Sequence, residues 1–329
     1  MKTCILFGGS GFIGTYLVER FLQTERFDSI IIGDLKETHI KNSKTRYYYV
    51  DVRKPIDIKI DRIDETGSWI FNLAAIHREP GHLPREYYET NIYGAENVIE
   101  YAERTGIRNI FFTSSIAPYG EAREQKVESS LLQPVTPYGI SKGLAEKIHL
   151  IWQAREKDLR RLIICRPGVI YGPGDPGNVL RMIKAIKKGI FFFPGDPNIV
   201  KAYGYVFGLL DSVEFTMDKI QDKVVVYNYT EWPLLSLKQM VNAIKKLFGY
   251  RKPVFRAPMP LLFLASFFIR ISGMFPSLAK ELHPIRIKKA SFPTNIKPEF
   301  LINRGFEFRY GLTKSLEHWL SLSPEDFEF

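Results

Sequence analysis

The sequence predicts an α/β protein, a doubly wound parallel sheet followed by a smaller, mixed C-terminal lobe. Three observations lead there. Short apolar runs of strand length alternate with amphipathic segments of helical period over the first half of the chain, the pattern of βαβ units. The first run ends in a turn with glycines three apart, Gly8-Gly9-Ser10-Gly11-Phe12-Ile13-Gly14. The second ends in an acid, Gly33-Asp34, twenty residues after Gly14.

Each element follows in order. Ile5 to Phe7 reads as the first strand. Phe12, Ile13, Tyr16, Leu17, Phe21 and Leu22 recur at helical spacing just after the turn. A turn of this kind lets backbone N–H groups at a helix N-terminus face an anion, and missing Cβ atoms at Gly8 and Gly11 let a pyrophosphate lie close. Gly14 lets the helix pack on the strand, while Phe12 and Ile13 stand beside the bound group. Ile30 to Ile32 is the second strand, and Asp34 at its end is placed to bind adenosine ribose hydroxyls. Tyr47 to Val50 is a third strand, closing at Asp51-Val52; Asp51 reaches an adenine edge or simply caps a turn. Trp69 to Ala75 is a fourth, ending in small residues at which backbone can approach a ligand. A long amphipathic helix is expected from Tyr87 to Glu103, a fifth strand from Ile110 to Ser115, a helix from Tyr138 to Lys157, and a sixth strand at Leu162 to Cys165.

Past Gly172-Pro173-Gly174 the rhythm changes to scattered shorter elements rich in Pro and aromatics. Residues 1–175 are therefore expected to form the dinucleotide-binding domain and 176–329 a smaller lobe packed on it, with the chain free to cross between them and the substrate cleft where they meet.

Composition narrows the class. The 329 residues are 45% hydrophobic and 25% charged, as in an ordinary globular protein. The formal charge of +10 would suit a polyanion, but no finger spacing, RNA-binding aromatic signature or basic arm accompanies it, so nucleic acid is not expected. Groups such as Lys184-Lys187-Lys188 and Arg286-Lys288-Lys289 read as solvated faces; a phosphorylated small substrate or an anionic membrane surface would use the same field. Cys4 and Cys165 fall inside apolar runs and read as reduced core thiols. With a start that runs straight into a strand, this points to the cytoplasm. The segment Leu261 to Ile271 is apolar but too short, and too soon interrupted by Arg270, to span a bilayer. It reads as buried against the lobe or a subunit, with an interfacial helix as the alternative.

The chemistry centres on Tyr138-Gly139-Ile140-Ser141-Lys142, which sets a phenol and an ammonium on one helix face. A nearby cation favours phenolate and lowers a pKa that is ordinarily about 10. With the Ser115 hydroxyl at the neighbouring strand end, three groups can hold one substrate oxygen: Tyr138 exchanges its proton, Ser115 hydrogen-bonds it and Lys142 sets the electrostatics. His77 and His82 have no partner at metal spacing, so no metal is expected, and His77 remains a substrate contact.

On these residues the chain resembles the extended short-chain dehydrogenase/reductase superfamily, the NAD-dependent epimerase/dehydratase group, closely to about residue 175 and more loosely beyond. The resemblance implies that Gly8, Gly11 and Gly14 cradle the pyrophosphate of NAD, that Asp34 takes the ribose, and that Asp51 and Val52 flank the adenine. It sets Asn72-Leu73-Ala74-Ala75 beside the cofactor, with Asn91 supporting that sheet. It gives the catalytic roles to Ser115 rather than Ser114, to Tyr138 and to Lys142, and has Arg166-Pro167 lead toward the substrate lobe. Asn178 resembles an asparagine that contacts a sugar-nucleotide diphosphate, and Lys201 stands where relatives carry an arginine for it.

Ser115-Ile116-Ala117 replaces the Thr-Asp-Glu of the family's 4,6-dehydratases, so dehydration is not expected. The implied function is NAD-dependent hydride transfer at C4 of a nucleotide-linked sugar, ending in epimerisation. A 4-keto sugar reductase and a membrane-face lipid or sterol alcohol dehydrogenase are the alternatives. Asp34 would repel a 2′-phosphate, which favours NAD over NADP, and a homodimer through the helices at 87–103 and 138–157 is the expected assembly.

Overall fold

A computed structural model describes residues 1–79, 81–175, 177–272 and 284–329. Seven strands, β1 (Thr3–Phe7), β2 (Ser29–Asp34), β3 (Thr45–Tyr49), β4 (Trp69–Asn72), β5 (Asn109–Thr113), β6 (Arg161–Pro167) and β7 (Val224–Tyr229), form one sheet in the order β3-β2-β1-β4-β5-β6-β7. Every neighbouring pair is parallel. The strand order reverses beside β1, between β1 and β4, and ligands of such sheets bind in that crevice at the carboxyl ends.

The strands are short and β-branched or aromatic because both faces are covered. Side chains alternate along β1: Cys4 and Leu6 pack with Leu17, Val18 and Phe21 of α1 (Phe12–Gln23), whereas Ile5 and Phe7 pack with Val98 and Ala102 of α2 (Gly94–Thr105). The second layer also holds α3 (Pro137–Arg155), through Ala145 and Trp152. The first also holds α5 (Val206–Asp218), which follows α4 (Asn178–Lys188).

Two elements differ from the sequence reading. The helix expected over 87–103 is broken into Pro84–Tyr88, a wider π-type turn at Glu89–Tyr93, and α2. That turn directs Asn91 inward, where it is buried. The second half also returns a strand to the sheet: β7 pairs along all six residues with β6. Its Val224-Val225-Val226-Tyr227 run resembles the strands of the first half, but the chain distance from them hid its destination. The remainder packs α4, α6 (Leu237–Phe248) and α8 (Gly311–Leu322) around Ile183, Ile244, Leu316 and Trp319, with α7 (Met259–Ser272) outside that core.

Candidate active site

The glycine turn is held by contacts that only glycine permits. Gly8 has φ +83°, and a Cβ there would stand 2.7 Å from the Ala74 nitrogen; one on Gly14 would stand 2.6 Å from the Gly8 oxygen. The turn thus lies directly on the end of β4, where Leu73 N–H donates to the Phe7 oxygen at 2.8 Å, so Leu73, Ala74 and Ala75 border it. Gly11 is more open, its Cβ position meeting only the Gly8 oxygen at 3.2 Å. It caps α1 without any side chain accepting from the first-turn N–H groups, which leaves those of the Phe12–Ile13 turn to an anion. The Ser10 hydroxyl is buried with no partner among the described residues. A cradle without Cβ atoms, an uncapped helix start and an orphaned hydroxyl together fit a dinucleotide's pyrophosphate.

Asp34 closes the turn, its carboxylate accepting from Ser10 N–H at 3.0 Å and Lys36 N–H at 3.1 Å. Asp51 is engaged otherwise: Arg53 Nε and Nη2 donate to it at 2.8 and 2.7 Å, and that bond holds its carboxyl below the usual range. Val52 is buried under α2, where its oxygen accepts from Asn97 at 2.7 Å. The position expected to flank adenine is therefore a packed wall carrying an ion pair.

Helix α3 brings the phenol and ammonium to the same end of the sheet. Thr136 caps it, its hydroxyl accepting from Gly139 N–H at 3.1 Å, and Pro137 is preset for the first turn. The Ser115 hydroxyl lies beside Tyr138. Burial pushes the phenol up to about 12; Ser115 acts downward and the charge of Glu79 upward. The sequence predicts instead a phenol lowered by Lys142. In the structure burial sets the direction of the phenol's shift, and Lys142 is itself 1% exposed. Desolvation pulls its ammonium down to about 7 against the opposing pull of Glu146, and Nζ sits 4.2 Å from the centre of the Phe112 ring.

The two serines separate cleanly. Ser114 is buried and donates to Glu146 at 2.5 Å, while Ser115 is half-buried next to Tyr138 and accepts from Ala117 N–H at 3.1 Å. Sequence reasoning missed the network beyond Ser114. Arg166 donates to both Glu146 oxygens at 2.9 and 2.7 Å and to the Tyr119 hydroxyl at 2.7 Å, and Tyr119 donates to Asn228 of β7 at 2.9 Å. The available signal was Glu146 four residues after Lys142, on the same helix face. His149, one turn further on, is pushed down to about 4 by burial; it donates from Nδ1 to the Ala145 oxygen at 2.7 Å and accepts from Asn72 at 3.3 Å. Asn91 exchanges hydrogen bonds with the backbone of Ile76 at 3.0 and 3.1 Å and donates to Ser141 at 2.8 Å, joining the β4 exit to the start of α3.

A second missed residue is Glu79. Its carboxylate accepts from Tyr138 N–H at 3.3 Å and pairs with Lys289 of the C-terminal half. His77, two residues before, is exposed. Pro167 ends β6 with its oxygen accepting from Ile116 N–H at 3.1 Å, which ties it to the strand end that bears Ser115. The expected diphosphate contacts each have other partners: Asn178 is exposed at the start of α4 and accepts from Arg181 at 2.6 Å. Lys201 is buried, its ammonium donating to the Phe292 and Lys289 oxygens at 2.6 and 3.1 Å and lowered to about 8 by desolvation. Among the described residues no group of three or more His, Cys, Asp or Glu is arranged to hold a metal ion.

A parallel sheet with a glycine turn, an acid after β2 and a serine-tyrosine-lysine set at its carboxyl end defines an NAD-dependent enzyme of the extended short-chain dehydrogenase/reductase class. Within that class the chain belongs to the NAD dependent epimerase/dehydratase family, which matches residues 4–228. It is 28% identical over 316 residues to the N-acetyl-alpha-D-glucosaminyl-diphospho-ditrans,octacis-undecaprenol 4-epimerase of Escherichia coli O157:H7, covering 96% of this chain and 93% of that protein. The structure of UDP-glucose 4-epimerase from Thermus thermophilus, in complex with NAD, superposes with a TM-score of 0.69 at 19% identity, over 96% of this chain and 98% of that one. That of dTDP-glucose 4,6-dehydratase from Bacillus anthracis str. Ames, in complex with NAD, gives 0.73 at 18% identity, over 100% and 98%. An epimerase and a dehydratase superpose comparably, so the fold is shared and the site residues must separate the reactions.

Proposed function

We propose that the protein is a 4-epimerase of a hexose joined to a diphosphate, with a nucleotide as the carrier. The observation that supports it is the composition of the strand end beside Tyr138: Ser115-Ile116-Ala117 supplies a hydroxyl and no carboxylate, which suits oxidation and reduction at one carbon and gives water elimination no acid. When bound, NAD⁺ accepts hydride from a carbon and can return it. The chain's residues do the rest. Tyr138, in its phenolate form, takes the C4 hydroxyl proton as the carbonyl forms, becoming the neutral phenol, and gives that proton back as the carbonyl is reduced. Ser115 holds the same oxygen, and Lys142 supplies positive charge beside it. The 4-keto sugar turns over in the cleft between events, so its other face receives the hydride.

The assignment of Gly8, Gly11, Gly14 and Asp34 to the cofactor, and of His77, Asn178 and Lys201 to the substrate, belongs to this reading. So does the division into a dinucleotide-binding part, 1–175, and a substrate lobe, 176–329. Pairing of two chains is supported by exposed Leu144 and Ile151 on α3 and exposed Tyr93 before α2. Free, buried Cys4 and Cys165 suit a reducing cytoplasm. No helix among the described residues is long and apolar enough to cross a membrane, and the reading keeps a peripheral contact through 261–271.

Cofactor-loaded protein incubated with UDP-, GDP- and dTDP-hexoses, without added NADH, is expected to yield the C4 epimer of one of them. Turnover of 4-keto sugars alone, consuming one NADH per product, would establish the reductase instead.

A further inference from the structure

The outer face of α7 is unlike the rest of the surface. Leu261, Leu264, Phe267 and Phe268, at 59, 53, 59 and 60% exposure, form one continuous helical face, with Phe263 beside them at 39%. Of the leucines at its start only Leu262 is buried. Isolated exposed apolar residues are normal, but five on two turns of one helix mark a surface that meets something apolar. No charge interrupts residues 257–269.

Charge identifies the occupant. Residues 251–298 contain nine of the chain's 46 Lys and Arg and one of its 36 Asp and Glu, so this stretch carries eight of the ten net positive charges. Arg251, Lys252 and Arg256 before α7 and Lys288 after it are exposed. An apolar helix face rimmed on its approaches by cations, and nearly free of anions, complements a surface that is apolar within and negative at its edge. A protein partner of that description would have to expose an apolar patch of its own, whereas an anionic phospholipid bilayer has both properties everywhere. With 14 residues α7 is about 21 Å long, short of the roughly 30 Å hydrocarbon core, so it lies in the interface.

The helix is also connected to the site. Pro284–Ser291 packs against α7, and its Lys289 pairs with Glu79, which accepts from Tyr138 N–H. We propose that α7 docks the protein on anionic membrane surfaces, with Leu261, Leu264, Phe267 and Phe268 entering the headgroup layer and the flanking Lys and Arg binding lipid phosphates, so that the active-site mouth stands next to the bilayer.

Co-sedimentation of the full chain with vesicles of phosphatidylcholine alone, and of phosphatidylcholine with phosphatidylglycerol, tests this without any sugar. Binding is expected to the anionic vesicles, at least tenfold tighter than to the neutral ones. It should weaken severalfold between 0.1 and 0.5 M NaCl and fall at least tenfold in Phe267→Ser/Phe268→Ser. These residues are outside the catalytic set, so the variant should keep its turnover of a soluble sugar nucleotide and its melting temperature. No binding to anionic vesicles overturns the proposal, as does binding the double variant retains. A wild-type dimer that the double variant dissolves, with no vesicle binding, would assign the face to a second copy and also overturn it. Docking without epimerisation would sink the proposed reaction and leave this inference standing; the converse would do the opposite.

Discussion

Tyr138 and Lys142 show how a side chain's surroundings decide its chemistry. Four residues apart on α3, they would titrate near their ordinary values on an exposed helix; burial moves the phenol up to about 12 and the ammonium down to about 7. Tyr138→Phe removes the exchangeable proton and little volume, so kcat should fall on the order of 10² or more with NAD binding retained; steady-state rates beside a cofactor titration check it. Lys142→Met trades activity for stability. The folded chain holds the Lys142 proton only below about 7, the unfolded chain up to about 10.5. Between these limits the unfolded state binds more protons, so the wild type gains stability as pH rises, and below about 7 the cost of burying the ammonium is fully present. The apo variant should therefore be more stable than the wild type by on the order of 3 kcal/mol at pH 6, with the gap closing toward pH 10. Urea unfolding at pH 6 and pH 9 measures it, and a gap independent of pH would refute the account.

Helix α3 and strand β6 are fastened to each other by the Glu146–Arg166 pair, whose side chains are 2% and 8% exposed. A buried pair of this kind contributes less than it costs to break, since removing one partner strands the other in a low-dielectric interior. Glu146→Ala should destabilise the fold by about 3–5 kcal/mol. It should also depress Lys142 further, because Glu146 is the opposing charge, so the alkaline limb of the rate profile, where Lys142 loses its positive charge, should move to lower pH. A variant with unchanged stability would show that water or Ser114 replaces the pair. The π-type turn before α2 works similarly: it aims Asn91 at both Ile76 and Ser141, so the position of α3 is set from β4 as well as from its own cap.

For the molecule as a whole, the proposed assignment of Asp34 to the adenosine ribose puts cofactor choice where the glycine turn meets the end of β2. Asp34 already accepts from two backbone N–H groups, Ser10 and Lys36, and is fixed close to the turn. A 2′-phosphate there would meet a carboxylate at short range. NADH should bind at least tenfold tighter than NADPH, and Asp34→Ala should narrow that ratio mainly by weakening NADH; isothermal titration reads both. A preference for NADPH in the wild type would show that Lys36 dominates the pocket.

The sequence by itself determined the sheet of the first half, the glycine turn, Asp34, and the Tyr138–Lys142 spacing, because each is a local pattern: apolar period, glycine position or i,i+4 geometry. Its strand ends differed by one to three residues, the fourth strand stopping at Asn72 rather than Ala75. Only the tertiary structure decided that residues 224–229 return to the sheet, that Glu79 reaches α3 and Lys289, that Glu146 finds Arg166, and that burial rather than Lys142 governs the phenol. The physical reason is common to all four: the partners lie 20 or more residues apart, and neither desolvation nor a side-chain hydrogen bond across that distance leaves a period in the sequence.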